Sequence, residues 1–284
     1  MTDIEYIRPL NLKEALSFLW EKGEDTKIIA GGTDVMVDLR SDGLDKKYLL
    51  DISRLEELKG IELNNKELSV GAGVTLSEIY SSKILKSNAL ALKKSAKNFA
   101  SKQIRNIATI GGNVAHSSPC GDTVPALVVH DAKALVADKK GTRLVSMEEM
   151  ATKAYMSCLS PRQILVKFIL TPYQGGFTDF QKIGRRRELA VSRISMAVFV
   201  KKDKDGRISF LKIGLGACTP TPCKMESVEA FLTGKIPTEN LIWEAGGILA
   251  GNMIKITGRR SSAIYKEPAV QGLFMRILYP VVKS

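Results

Sequence analysis

Two glycine pairs offer the most specific chemistry in this 284-residue chain. The first stands in Ile28-Ile29-Ala30-Gly31-Gly32-Thr33-Asp34, the second in Thr109-Ile110-Gly111-Gly112-Asn113. In each, an apolar approach enters a Gly-Gly bend, and polar side chains follow. Glycine admits positive φ and, lacking a Cβ, lets backbone N–H groups approach a ligand. A helix that starts after such a bend begins with unpaired N–H donors and the positive end of its dipole, which favours an anion. Taken singly, the first pair also reads as a plain strand–turn–helix connection capped by Thr33. Together, about 80 residues apart, the pairs are suited to clamp a diphosphate from two sides, and they point to a dinucleotide or flavin.

Other chemistries find less support. Gly71-Ala72-Gly73 and Gly214-Leu215-Gly216 begin a G-x-G, but Leu76 and Thr219 stand where the Rossmann fingerprint needs glycine or alanine. Both segments read better as strand ends. There is no P-loop and no G-x-S-x-G elbow. Cys120, Cys158, Cys218 and Cys223 form no C-x-x-C, and His116 and His130 are not four apart, so no metal site is expected. His116, beside Ser117, Ser118 and Pro119, reads as a loop histidine, and no residue of this chain is expected to be catalytic. Four cysteines in a chain of this length suggest reduced thiols, and the acidic start MTDIEYIRPL does not resemble a signal peptide, so a cytoplasmic setting is expected. No apolar run approaches the ~20 residues of a membrane span.

Charge is uneven. The net charge is +12, and residues 176–284 hold 18 Lys and Arg against 9 Asp and Glu. Such a basic third suits an acidic partner surface. Aromatic residues are 6% and no stacking or helix-turn-helix pattern is visible, so nucleic acid is not the expected partner.

The elements that must position these residues fall into three units. Residues 1–55 read β-α-β-α-β, with Asn11 and Glu14 in capping-box positions and a short second helix, Asp34–Arg40, ending near Gly43. Residues 56–173 hold a hairpin about Asn64-Asn65, a helix capped by Thr75, a longer helix at Ala89–Ala100, a glycine-rich passage at Thr109–Asp122, a helix at Thr123–Ala132, and a strand at Ile164–Leu170. Residues 174–284 hold three strands, at Phe177–Lys182, Met196–Lys201 and Ile208–Leu215. Helices then follow near Met225–Leu232, Glu239–Ile254 and Ser261–Leu278, the last ending before Pro280.

With these residues in view, the chain resembles, over nearly its whole length, the FAD-binding medium subunit of molybdenum hydroxylases of the xanthine dehydrogenase and carbon monoxide dehydrogenase type. Ala30-Gly31-Gly32-Thr33-Asp34 resembles that family's first flavin diphosphate loop. The stretch from Ile104 to Asn113 resembles its second, continued by Ser118-Pro119-Cys120-Gly121-Asp122. Gly214-Leu215-Gly216-Ala217 with Pro220-Thr221-Pro222, and Arg260 to Tyr265, resemble its C-terminal domain. The resemblance implies an α+β fold: a two-subdomain FAD-binding domain of the vanillyl-alcohol-oxidase (PCMH) type, residues 1–55 and 56–173. A C-terminal domain, 174–284, follows with a three-stranded antiparallel sheet and a helical bundle.

The resemblance also implies roles. Ile28, Ile29, Ala30, Gly31, Gly32, Thr33 and Asp34 would wrap the diphosphate, and Thr109, Ile110, Gly111, Gly112 and Asn113 would close from the other side. Asp122 would accept from a ribose hydroxyl, Phe99 and Leu165 would line the flavin, and Lys182 would stand near the isoalloxazine. The implied partners are an iron–sulfur small subunit with [2Fe–2S] clusters and a molybdopterin large subunit in a heterotrimer, with NAD+ as acceptor. Two positions depart from the pattern: Thr257-Gly258 replaces an acidic residue, and Lys266 follows Tyr265 where arginine is common. A stand-alone flavin oxidase or reductase of the same fold, and a basic nucleotide- or nucleic-acid-binding module, remain the alternatives.

Overall fold

In the computed structural model, which describes residues 4–41, 44–65, 67–186 and 189–284, three larger sheets and a two-stranded ribbon are joined by helices. The first unit runs β1 (Glu5–Ile7), α1 (Leu12–Lys22), β2 (Thr26–Ile29), α2 (Val35–Ser41) and β3 (Tyr48–Asp51). Its strands lie parallel in the order β1-β3-β2. Parallel neighbours need crossovers, which α1 and α2 help to span. Asn11 caps α1 by accepting from Glu14 N at 2.9 Å, and Glu14 accepts from Leu10 N at 2.8 Å. The expected end of α2 near Gly43 lies outside the described residues.

The second unit runs β4 (Ile61–Asn64), β5 (Glu67–Gly71), α3 (Leu76–Ser81), α4 (Lys83–Asn88), α5 (Leu90–Lys97), α6 (Lys102–Arg105), α7 (Ile110–Ala115), α8 (Thr123–Val129), β6 (Lys133–Asp138) and β7 (Gly141–Ser146). It continues with α9 (Met147–Met150), the ribbon β8 (Ala151–Lys153) and β9 (Met156–Ser157), and β10 (Ile164–Leu170). The antiparallel sheet has the order β4-β5-β10-β6-β7. The third unit is an antiparallel sheet of β11 (Phe177–Gly184), β12 (Ser192–Lys202), β13 (Ile208–Gly216) and the short β14 (Cys223–Lys224), followed by α10 (Glu226–Leu232), α11 (Glu239–Thr257) and α12 (Ala263–Lys283). The expected three-stranded sheet thus gains a fourth, two-residue strand.

Side-chain alternation glues the layers together. On β10, Ile164 and Val166 face Leu19 and Leu50 of the first unit. A bulge between Leu165 and Lys167 shifts the phase, so Leu165, Phe168 and Leu170 face the helices α3, α5 and α8. On β12, Ala197 and Phe199 join that same core, while Met196, Val198 and Val200 pack against α10–α12. Each fully buried leucine or phenylalanine contributes ~1.5–3 kcal/mol, and Phe168 and Phe180 are among those fully buried.

Three local expectations are corrected. The single helix over Ala89–Ala100 is α5 alone, because Ala89 leaves helical geometry before it (φ −151, ψ 57) and Ala100 takes φ +36 beyond it. The passage at Thr109–Asp122 contains α7. Helix α12 does not stop before Pro280 but runs to Lys283, through Pro268 as well. Proline removes a backbone bond from a helix interior; Leu278 and Val281, buried in the C-terminal core, hold the last turn regardless.

Candidate cofactor site

Strand β2 delivers the chain into Gly31-Gly32, and Met36 N donates to Gly32 O at 2.9 Å as α2 begins. Gly32 takes φ +70, a left-handed value that costs another residue about 1–2 kcal/mol. Gly31 is glycine for proximity: a Cβ there would lie 1.9 Å from Ile107 O and 3.0 Å from Ala108 Cα. The first bend therefore rests on the backbone that leads into the second glycine pair. The N–H groups of Gly32, Thr33 and Asp34 donate to no described backbone carbonyl.

The second pair lies inside the first turn of α7. Thr109 caps that helix, its Oγ1 accepting from Gly112 N at 3.1 Å. Gly111 N donates to Ala72 O at 2.8 Å and Asn113 N to Thr109 O at 3.0 Å. A Cβ on Gly111 would meet both the Cβ and the O of Ala72 at 2.7 Å. Two equivalent anion-binding bends were expected; the structure gives the pairs different tasks. The first keeps open amide donors, whereas the second spends its own on the protein and serves as a close-packed wall. The physical reason is that α7 starts against Ala72 and Val74, whose carbonyls take the amides of Gly111 and Ile110.

Both pairs line one cavity of about 300 Å³, a size typical of small-molecule sites. Ile28, Ala30, Gly31, Gly32, Thr33 and Asp34 form one side. Thr109, Gly111, Gly112 and Asn113 form the other, and Phe99 and Leu165 complete the wall. Ile29 and Ile110 are not among the lining residues; Ile29 packs beneath Gly32, and Ile110 is fully buried in the core.

Asp122 and Lys182 also lie apart from the cavity wall and instead hold each other. Lys182 Nζ is 2.6 Å from Asp122 Oδ2, with side chains 13% and 5% exposed, and Ser192 Oγ donates to Asp122 Oδ1 at 2.5 Å. Burial pushes the Asp122 carboxyl up, and Lys182 and Ser192 draw it back. Asp122 thus accepts from Lys182 on one oxygen and from Ser192 on the other, and it is not among the cavity-lining residues. Burial, with Asp122 adding to it, likewise raises the neighbouring Cys120 thiol.

Several lining residues carry no sequence signal of a site. Ala72 and Gly73 follow β5, in the G-x-G read as a strand end; Leu159, Pro161 and Gln163 come from the β9–β10 connection; His116 follows α7. Only the fold brings them beside residues 27–38. Among the described residues no group of three or more His, Cys, Asp or Glu could hold a metal ion, and no helix is long and apolar enough to cross a membrane.

The donor set fits a flavin dinucleotide. Open backbone amides suit its diphosphate, glycines keep Cβ atoms out of its path, and the apolar surface of Leu58, Ala72, Ile164 and Leu165 suits flat ring systems. Comparison with known proteins points the same way. Residues 2–173 match the FAD binding domain in molybdopterin dehydrogenase, and residues 179–281 match the CO dehydrogenase flavoprotein C-terminal domain. The nicotinate dehydrogenase FAD-subunit of Eubacterium barkeri is 29% identical, over 99% of this chain and 97% of that one. The xanthine dehydrogenase FAD-binding subunit of Escherichia coli O157:H7 is 30% identical, over 79% and 77%. A solved structure of carbon monoxide dehydrogenase from Hydrogenophaga pseudoflava superposes with a TM-score of 0.91 at 26% identity, covering 98% of this chain and 96% of that one. The chain belongs to the FAD-binding flavoprotein family of the molybdopterin dehydrogenases.

Proposed function

We propose that this chain is the electron-transfer flavoprotein subunit of a molybdenum hydroxylase complex, with FAD in the cavity between the two glycine pairs. The observation that carries this reading is that Gly31-Gly32 and Gly111-Gly112, far apart in the chain, wall one cavity. The N–H groups of Gly32, Thr33 and Asp34 would hold the diphosphate, and Thr33 and Asn113 would offer side-chain partners to the neighbouring hydroxyls. Phe99 and Leu165 would exclude water from the flat rings. Asp122 is assigned to fixing Lys182, a buried cation, at the start of α8. FAD, when bound, takes up electrons singly and releases them as a pair.

In this reading an iron–sulfur subunit with [2Fe–2S] clusters supplies the electrons, a molybdopterin subunit performs the hydroxylation, and NAD+ accepts. The relatives named for nicotinate, xanthine and carbon monoxide dehydrogenation support such a complex. Residues 1–55 and 56–173 would act as the flavin-binding subdomains and 174–284 as the docking domain, whose basic excess suits an acidic partner face. Titration of the purified chain with FAD tests the cofactor, with quenching of flavin fluorescence at one equivalent expected. Native co-purification with mass spectrometry and metal analysis tests the complex. A chain that takes up no FAD refutes the proposal.

A further inference from the structure

We propose that His116 is a diphosphate-binding residue of this cavity, with Asp34 as the carboxylate that positions it; the inference rests on the FAD reading. His116 ends α7, so the helix that opens with the second glycine pair also carries this imidazole to the cavity. Asp34 follows the first pair. His116 Nε2 is 3.8 Å from Asp34 Oδ1, and the two side chains are 35% and 56% exposed, which places both at the open rim. That separation is too long for a hydrogen bond, so Asp34 lies beside the ring without bonding to it.

A second contact sets the ring plane. Tyr155, from the turn between β8 and β9, meets His116 edge-on with centroids 5.4 Å apart. Tyr155 N donates to Ser117 O at 2.8 Å. Both Ser117 and Tyr155 take left-handed backbone, at φ +51 and +60. Two non-glycine residues in that region, joined to each other, fix the ribbon against the residue after His116.

Charge selects the ligand group. The acidic residues lining the cavity are Asp34 and Asp38, and the basic ones are Lys27 and His116. Lys27 Nζ lies 3.5 Å from Asp38 Oδ2. Among the described lining residues His116 is thus the basic group with no partner at hydrogen-bond distance. A diphosphate beside Gly32–Asp34 would face the Asp34 carboxylate, and an imidazolium at His116, 3.8 Å from that carboxylate, would offset the repulsion.

The test measures FAD affinity of the full chain by quenching of flavin fluorescence at low and moderate salt, together with thermal unfolding without FAD. His116→Ala is expected to raise the Kd roughly tenfold, to make it less salt-dependent, and to leave unfolding unchanged. Asp34→Asn added to His116→Ala is expected to restore part of the lost affinity, because it removes the repulsion that the imidazole offsets. The inference is overturned if His116→Ala binds FAD like the wild type. It is also overturned if affinity falls with an unchanged salt dependence and a lower melting temperature, which would mean packing alone. A wild-type chain that binds no FAD overturns the cofactor reading itself, and shows this before any variant is made.

Discussion

Replacing Gly31 by alanine tests whether the two glycine pairs form one site through direct backbone contact. The new Cβ would sit 1.9 Å from Ile107 O and 2.6 Å from Ile107 C. Ordinary carbon–oxygen contact begins near ~3.3 Å, so the carbonyl must retreat by roughly 1.4 Å. Neither side yields easily. Ile107 N and Ala108 N are both bonded to Ile104 O, and Ala108 O accepts from Leu76 N. Overpacking of this kind costs ~1–3 kcal/mol. Loss of one well-placed hydrogen bond to a charged ligand costs ~1.5–3 kcal/mol, or about tenfold or more in Kd. Urea unfolding should therefore show a lower midpoint, and FAD titration a Kd raised at least tenfold. Gly251→Ala is the control, because its Cβ would meet nothing within 4 Å and it stands in α11, outside the cavity lining, and it should bind FAD like the wild type. If Gly31→Ala retains wild-type affinity and midpoint, or if Gly251→Ala proves the more damaging, contact between the bends is not what shapes the site.

Three further outcomes are expected. Lys182→Met leaves the buried Asp122 without its cation and should cost ~3–5 kcal/mol; the double variant Lys182→Met with Asp122→Asn should lose less, and a larger loss in chemical denaturation would contradict the pairing. His130 is buried, its Nδ1 bonded to Thr171 O at 2.9 Å and its Nε2 without a partner. Burial holds its pKa below the ordinary 6.5, so the folded state favours the neutral ring. Stability should be full above pH 6.5 and fall as pH drops through and below that value; His130→Asn should flatten the dependence in melting curves between pH 7.5 and 5. Asp131 joins the second unit to the third through Lys212 and Lys224, and it accepts from Tyr173 of its own unit. Burial pushes its carboxyl up, but hydrogen bonds from Tyr173 and Lys224 and the charge of Lys212 outweigh this and hold it below 3.8. Its contribution is present above that pH and lost as pH falls through the lower folded value, so Asp131→Asn should lower the melting temperature at neutral pH and match wild type in strong acid.

Local chemistry made much of this protein legible from its residues. Asn11 with Glu14, and Thr75, cap the helices they were expected to cap, because capping acts within four residues, and the structure adds Glu78 as the second half of the Thr75 box. The glycine pairs pointed to an anionic cofactor, since a missing Cβ is a property of single residues. What tertiary structure alone decided lies at long range. It brought Pro161, Gln163 and His116 beside the first bend, paired Asp122 with Lys182 across 60 residues, and carried α12 past Pro280. It also divided labour between the pairs, because whether a glycine amide is free depends on which carbonyl lies opposite. For Gly111 that carbonyl belongs to Ala72, at the end of a strand nothing near Gly111 in the chain could specify.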